Sequence, residues 1–211
     1  MQINGISDKV ILRLPRYYRF LGELSNAGIK RISSGELAKK MGLNASQIRQ
    51  DLNCFGGFGQ QGYGYNTDIL RKEIGAILGM DKSKKIILIG LGNLGNAVAS
   101  HINFSDKGFT LIGIFDIKES LIGHEVRGVS VRSVENLDDF CRENKPVAAI
   151  LCIPKDAVPN IAERLIQNGV TAFLNFSHYD IALNYEGVVV ENVHIGDSLM
   201  RLSYDIKNLN N

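Results

Sequence analysis

The stretch Lys85-Ile-Ile-Leu-Ile-Gly-Leu-Gly-Asn-Leu-Gly95 decides the fold. Four consecutive apolar residues, Ile86 to Ile89, have the length and β-branching of a buried strand, and they run straight into a GxGxxG spacing. Residues 96–102 then read as a helix. Glycines at those three places permit a tight turn, the approach of backbone to a pyrophosphate, and close packing of helix on strand, while the helix N-terminus offers amide donors to phosphate oxygens. A lone GxGxxG is a weak signal. Its weight here comes from the strand before it, the helix after it, and Asp116, which ends the apolar run Thr110 to Asp116 at about 20 residues beyond the last glycine. A carboxylate there accepts the ribose hydroxyls and repels a 2′-phosphate, so the pattern favours NAD(H) over NADP(H). Gly90, Leu91, Gly92, Asn93, Leu94, Gly95 and Asp116 are the candidate cofactor-binding residues.

Outward from this segment toward the C-terminus, strand and helix patterns alternate. A strand is expected at Val129 to Val131, a helix at Val134 to Arg142, a buried strand at Val147 to Ile153 and a helix at Ala157 to Gln167, closed by Gly169. Two more strands, Ala172 to Phe176 and Val188 to Val193, precede a terminal helix from Asp197 to Lys207. Such alternation predicts an α/β domain with a doubly wound parallel sheet. Ligands in these sheets lie at the C-terminal strand ends, which nominates Ile153-Pro154 and Asn175-Phe176-Ser177 as walls facing the nicotinamide. Plain strand-to-helix loops explain both segments equally well.

Outward toward the N-terminus, Val10, Ile11, Leu14, Tyr17, Tyr18, Leu21 and Leu24 recur at spacings of three and four, one buried helix face, with Pro15 beginning or kinking the helix. Ser33 and Glu36 have capping-box spacing and open a second helix that Gly42 ends. Asn44 caps a third, whose inner stripe is Ile48, Leu52 and Phe55. Helix, short turn and helix form a helix-turn-helix, and the outer face of the last carries Ser46, Gln47, Arg49, Gln50 and Asn53, side chains suited to base edges in a major groove. The following Phe55-Gly-Gly-Phe-Gly-Gln-Gln-Gly-Tyr-Gly-Tyr65 suits a tight β-hairpin, the wing of a winged helix. Its Gln60, Gln61, Gly62, Tyr63 and Tyr65 are the candidate wing contacts to DNA. A solvated helical interaction domain is the bland alternative.

Charge supports the nucleic-acid reading. Residues 1–85 carry 14 Lys/Arg against 7 Asp/Glu, and the remainder carries 10 against 15, within a net charge of +2. A basic front half on an acidic body points to a polyanionic partner. The composition, 45% hydrophobic and 22% charged, is that of a globular chain, and no apolar run approaches a membrane span. The N-terminus lacks a secretory pattern, so a cytoplasmic protein without membrane partners is expected. Cys54, Cys141 and Cys152 show no metal-ligand spacing and read as reduced, mostly buried thiols. His101, His124, His178 and His194 have no motif tying them to a carboxylate, and no second domain is expected to enclose a substrate. A cofactor without a substrate pocket implies an effector ligand rather than a redox cofactor. The competing readings are a small NAD-dependent oxidoreductase or CoA-binding protein with a helical N-terminal domain, and a module that binds protein instead of DNA.

The segments Leu14-Pro-Arg-Tyr-Tyr-Arg-Phe20, Ser46-Gln-Ile-Arg-Gln-Asp-Leu52 followed by Phe55-Gly-Gly-Phe-Gly, Gly62-Tyr-Gly-Tyr65, Gly90 to Gly95, Phe115-Asp116, Ile153-Pro154 and Leu174-Asn-Phe176 together resemble the bacterial Rex redox-sensing repressors over essentially the whole chain. The resemblance implies a winged-helix domain over residues 1–80 and a Rossmann domain over residues 81–211, with a C-terminal helix, residues 197–208, exchanged in a homodimer. It further implies a repressor, not an enzyme, that binds an AT-rich inverted-repeat operator when NADH is scarce and leaves it when NADH binds. An apolar pocket containing Phe176 would disfavour the charged oxidised ring. Two positions depart from the family. Members carry a Tyr in the helix after GxGxxG and an Asp before the terminal helix, forming with an Arg like Arg16 a link between domains; those positions hold His101 and His194 here, and Asp197 is the replacement carboxylate. The wing tip, basic in most relatives, reads Gln60-Gln61.

Overall fold

The computed structural model describes residues 6–56 and 63–209, and the chain divides into two compact units, Met1–Asp81 and Lys82–Asn211. In the first, a short helix α1 (Asp8–Ile11) precedes α2 (Leu14–Asn26). The single apolar face read from Asp8 to Asn26 is therefore carried by two helices. Pro15 explains the break: it sits in the first turn of α2 and its ring leaves no room for a helical carbonyl at position 11, where α1 stops. Strand β1 (Arg31–Ile32) leads to α3 (Ser34–Met41) and α4 (Ala45–Asn53), and β2 (Tyr65–Asn66) leads to α5 (Thr67–Ile77). The Ser33 hydroxyl accepts from the Glu36 N–H while the Glu36 carboxylate accepts from the Ser33 N–H, a complete capping box, and Asn44 caps α4.

The expected hairpin over 55–65 falls mostly outside the described residues, among them Gln60, Gln61 and Gly62. What is described of it pairs elsewhere: β2 runs antiparallel to β1, with Ile32 opposite Tyr65. That register turns both side chains into the core formed by Leu14, Tyr17, Leu21, Leu37, Met41, Ile48, Leu52, Leu70 and Ile74.

A buried carboxylate interrupts this core. Asp51 is 1% exposed. Arg13 grips it with both arms, Nε to Oδ2 at 2.6 Å and Nη2 to Oδ1 at 2.7 Å, the buried Tyr17 hydroxyl donates at 2.6 Å, and Gln47 donates at 2.9 Å. Burial pushes the Asp51 carboxyl up, but the bonds from Arg13, Tyr17 and Gln47 outweigh it and hold the group below its ordinary value. The same burial and the carboxylate beside it push the Tyr17 phenol up.

In the second unit, a seven-stranded sheet has the order β5-β6-β4-β3-β7-β8-β9, formed by β3 (Lys84–Ile89), β4 (Phe109–Asp116), β5 (Glu125–Val126), β6 (Val129–Ser133), β7 (Ala148–Leu151), β8 (Ala172–Asn175) and β9 (Val189–Asn192). All pairs are parallel except β5 with β6. The helices are α6 (Asn93–His101), α7 (Leu137–Asn144), α8 (Val158–Gln167), α9 (Ile181–Asn184) and α10 (Ile195–Leu209). Sequence periodicity missed β5, a two-residue edge strand closed by Arg127-Gly128, both at positive φ, the geometry of a type I′ turn. One core lies on each face of the sheet, around Phe115, Leu151 and Leu165 on one side and Leu88, Ile114 and Ile150 on the other.

The terminal helix is longer than the expected 197–207 and buries none of its residues. Ile195, Leu199, Leu202, Ile206 and Leu209 follow one another at alternating steps of four and three, one stripe along the helix, and all are at least half exposed. No helix among the described residues is long and apolar enough to cross a membrane.

Removing the Asp51 charge leaves Arg13 without its partner, so Asp51→Asn is expected to lower the stability of the isolated first unit by about 2–4 kcal/mol in denaturant titrations at pH 7. A carboxylate held below its ordinary value stabilises the fold above the unfolded pKa of about 4, and that stability is lost as pH falls through the lower folded value. The acid-induced loss of stability below about pH 4 is therefore expected to be shallower in Asp51→Asn than in the wild type.

Candidate functional site

The nucleotide cradle is built by backbone proximity. Gly90 has φ +92, and a Cβ there would meet the Cys152 carbonyl oxygen at 2.6 Å and the Ile153 side chain at 2.7 Å. A Cβ on Gly95 would lie 1.8 Å from the Gly90 carbonyl oxygen. A side chain at Gly95 would push α6 off the end of β3, and one at Gly90 would collide with the segment that follows β7. Gly92 faces open space instead, and as the N-cap of α6 it makes no side-chain cap bond. The first amides of α6 are thereby left for an anion.

Asp116 is buried at the end of β4. Its Oδ2 accepts the Leu91 N–H at 2.6 Å and its Oδ1 accepts the Lys118 N–H at 2.8 Å. The carboxylate holds the glycine turn in shape from the neighbouring strand, a role its spacing in the sequence did not reveal, and each oxygen keeps a lone pair for a ribose hydroxyl. Leu91 is buried, whereas Asn93 and Leu94 are exposed at the start of α6. Ile153 packs over Gly90, Pro154 is exposed, and Phe176 is half-buried one residue beyond β8, its N–H bonded to the Leu151 carbonyl. These residues meet at the C-terminal ends of β3, β7 and β8, on either side of the point where the strand order reverses. Burial pushes the Cys152 thiol, at the same strand ends, up to about 11 and Cys141 likewise, so neither is a reactive thiolate at neutral pH. Cys54 departs from the expected burial and is exposed at the C-cap of α4.

In the first unit, Ser46, Arg49, Gln50 and Asn53 form the exposed face of α4. Arg49 is held by the Ser34 and Ser46 hydroxyls, each at 3.1 Å. Gln47 is half-buried and spends its amide on Asp51, and Tyr65 is turned into the core, so neither stands on the exposed face with the others. Tyr63 is exposed, and the Arg31 guanidinium lies over its ring at 5.9 Å. Sequence reasoning passed over Arg31, because the pairing of β1 with β2 that brings it to Tyr63 has no local signature. Arg16 donates to the Met41 carbonyl at the end of α3 and lies over Phe20. His101 is exposed at the end of α6. His194 Nε2 lies 2.9 Å from the Ser177 carbonyl oxygen, and its Nδ1 lies 3.5 Å from Asp197. Among the described residues no three His, Cys, Asp or Glu side chains gather as a metal site.

Two family models match, "Putative DNA-binding protein N-terminus" over residues 5–53 and "CoA binding domain" over residues 81–179. A redox-sensing transcriptional repressor Rex from Thermoanaerobacter sp. (strain X514) is 52% identical over 199 residues, covering 94% of this chain and 88% of that protein. The chain belongs to the Rex family. The Rex of Clostridium acetobutylicum is 47% identical over 207 residues, covering 98% of this chain and 96% of that one. Among solved structures, the Rex-family repressor RSP bound to β-NAD+ and operator DNA superposes with a TM-score of 0.91 at 50% identity, over 100% of this chain and 95% of that one. RSP bound to β-NADH superposes at 0.87 and 47% identity, over 97% and 96% of the two chains. Both units thus have counterparts within one Rex polypeptide.

Because the Gly95 position tolerates no Cβ, Gly95→Ala is expected to lower the thermal stability of the second unit and to abolish nucleotide binding, read by calorimetry and by NADH fluorescence titration. Retention of both would show that α6 can shift without cost.

Proposed function

We propose that this chain is an NADH-responsive transcriptional repressor: a homodimer that holds an inverted-repeat operator when NADH is scarce and releases it when NADH binds. The observation that carries the reading is the union, in one chain, of an exposed polar face on a capped helix of a helix-turn-helix with a glycine cradle backed by Asp116, a combination shared over its full length with a repressor solved with NAD+, NADH and operator DNA. Ser46, Arg49 and Gln50 read base edges, with Arg49 preset by its two hydroxyl partners. Gln47 supports the helix from behind. Arg31 and Tyr63, with the wing residues Gln60, Gln61 and Gly62, follow the phosphate backbone.

In the second unit the α6 amides hold the pyrophosphate and Asp116 the adenosine ribose. Ile153, Pro154 and Phe176 wall the nicotinamide with apolar surface, which costs the cationic oxidised ring more than the neutral reduced one. NADH therefore acts as an effector. The exposed stripe on α10 is covered by a second copy, which supplies the two-fold symmetry that an inverted repeat demands. NADH then releases DNA by linkage: a ligand that prefers the arrangement with mismatched recognition helices weakens DNA binding by the same factor that DNA weakens the ligand.

Fluorescence anisotropy of a labelled AT-rich inverted-repeat duplex tests this, with NADH, NAD+ and coenzyme A added separately. Release by NADH alone is expected; steady NADH consumption with added carbonyl compounds, or release by coenzyme A, would overturn it. Arg49→Ala is expected to weaken operator binding by about 1–3 kcal/mol, roughly 5–150-fold, with NADH affinity unchanged.

A further inference from the structure

The loop after β8 is tied by a run of hydrogen bonds to His194, the residue directly before α10. Asn175, fully buried as the last residue of β8, uses both ends of its amide. Its Nδ2 donates to the Tyr179 carbonyl at 2.9 Å and to Asn192 Oδ1 at 2.8 Å, with a longer approach of 3.3 Å to the Ser177 carbonyl, and its Oδ1 accepts the Ser177 N–H at 3.1 Å and hydroxyl at 2.7 Å. Ser177 Oγ accepts in turn from the Tyr179 N–H at 3.2 Å. The loop from 175 to 179 is therefore folded around one amide, and Phe176 is carried on it. A carbonyl only accepts, so His194 Nε2 donates to the Ser177 oxygen, which fixes the ring between that loop and Asp197 in the first turn of α10. The His178 ring covers it from the loop side, with centroids 4.9 Å apart.

We propose that Asn175, Ser177 and His194 form a positioning relay through which the setting of the nicotinamide wall at Phe176 is passed to α10, and so to the arrangement of the dimer. The relay rests on the function proposed above. Asn175 sets the loop, the Ser177 carbonyl is the output of that setting, and His194 converts it into the position of the helix start. Displacement of Phe176 by the reduced ring moves the Ser177 carbonyl, because the two residues are consecutive and share the Asn175 anchor. The His194 ring, bonded to that carbonyl and directly preceding α10, moves with it.

The test compares full-length wild type, His194→Phe and His194→Gln. Phe keeps the ring and removes the donor to the Ser177 carbonyl; the Gln amide nitrogen reaches the place of Nε2. Two quantities are read: NADH affinity without DNA, and the ratio of operator Kd at saturating NADH to operator Kd without nucleotide. His194→Phe is expected to bind NADH within about two-fold of wild type while the ratio falls at least about ten-fold, and His194→Gln is expected to restore the ratio to within about three-fold. A ratio in His194→Phe equal to that of wild type, or a Gln variant no better than Phe, overturns the relay. Should His194→Phe fail to fold, Asn192→Ala cuts the network at an exposed residue and is expected to lower the ratio about three-fold; an unchanged ratio there overturns it equally. A wild-type chain that binds DNA but ignores NADH overturns the function itself and is recognised before any variant is made.

Discussion

The contact between the backbone of α6 and the end of β3 is the constraint on which the nucleotide-binding unit depends. With the Gly95 Cα packed against the Gly90 carbonyl, the helix axis points at the strand ends and its free amides converge on the space beyond Gly92. Everything else at the site is arranged around that fixed approach. Asp116 reaches across from β4 to hold the Leu91 N–H, Ile153 lies over Gly90 from β7, and Phe176 stands at the end of β8. A single displaced helix would carry the phosphate position away from all three at once, which is why the site is carried by backbone geometry and not by a list of interchangeable side chains.

In the other unit a buried charge plays the corresponding part. Asp51 lies on the inner face of α4, and its bonds to Arg13 and Tyr17 pin that helix to α2 and to the residue preceding it. Apolar contacts alone leave a nine-residue helix some freedom to rotate about its axis, whereas a bidentate guanidinium does not. Rotation of α4 by even one residue step would replace Ser46, Arg49 and Gln50 on its outer face. The directional bonds thus convert a packed helix into an aimed one.

Much of this was legible in the sequence because it is local. The GxGxxG spacing, the Ser33–Glu36 capping box and the βα alternation are each written within a few residues, and the strand at 84–89, the helix ends and the six parallel strands follow from them. What escaped was set by pairing at a distance. Tyr65 looked like a wing residue until its register with Ile32 turned it inward. Gln47 looked like a base contact, since nothing in its neighbourhood announces that Asp51, four residues on, needs a fourth donor. The Asn175 network joins β8, β9 and the start of α10, three segments whose association only the sheet order decides. The break between α1 and α2 is the exception: Pro15 marked it, and the two outcomes it allowed differ only in whether the first turn survives as a helix of its own.

The bare stripe along α10 has a consequence for how the molecule behaves in a growing cell. With that stripe covered by a second copy, as proposed above, the stability of the folded chain depends on its own concentration, since the dimer concentration falls with the square of dilution at the low end. Each cell division that outpaces synthesis would then both thin the repressor and loosen it. The abundance of the chain becomes a second input, set by mass action, alongside the nucleotide that the glycine cradle is shaped to receive.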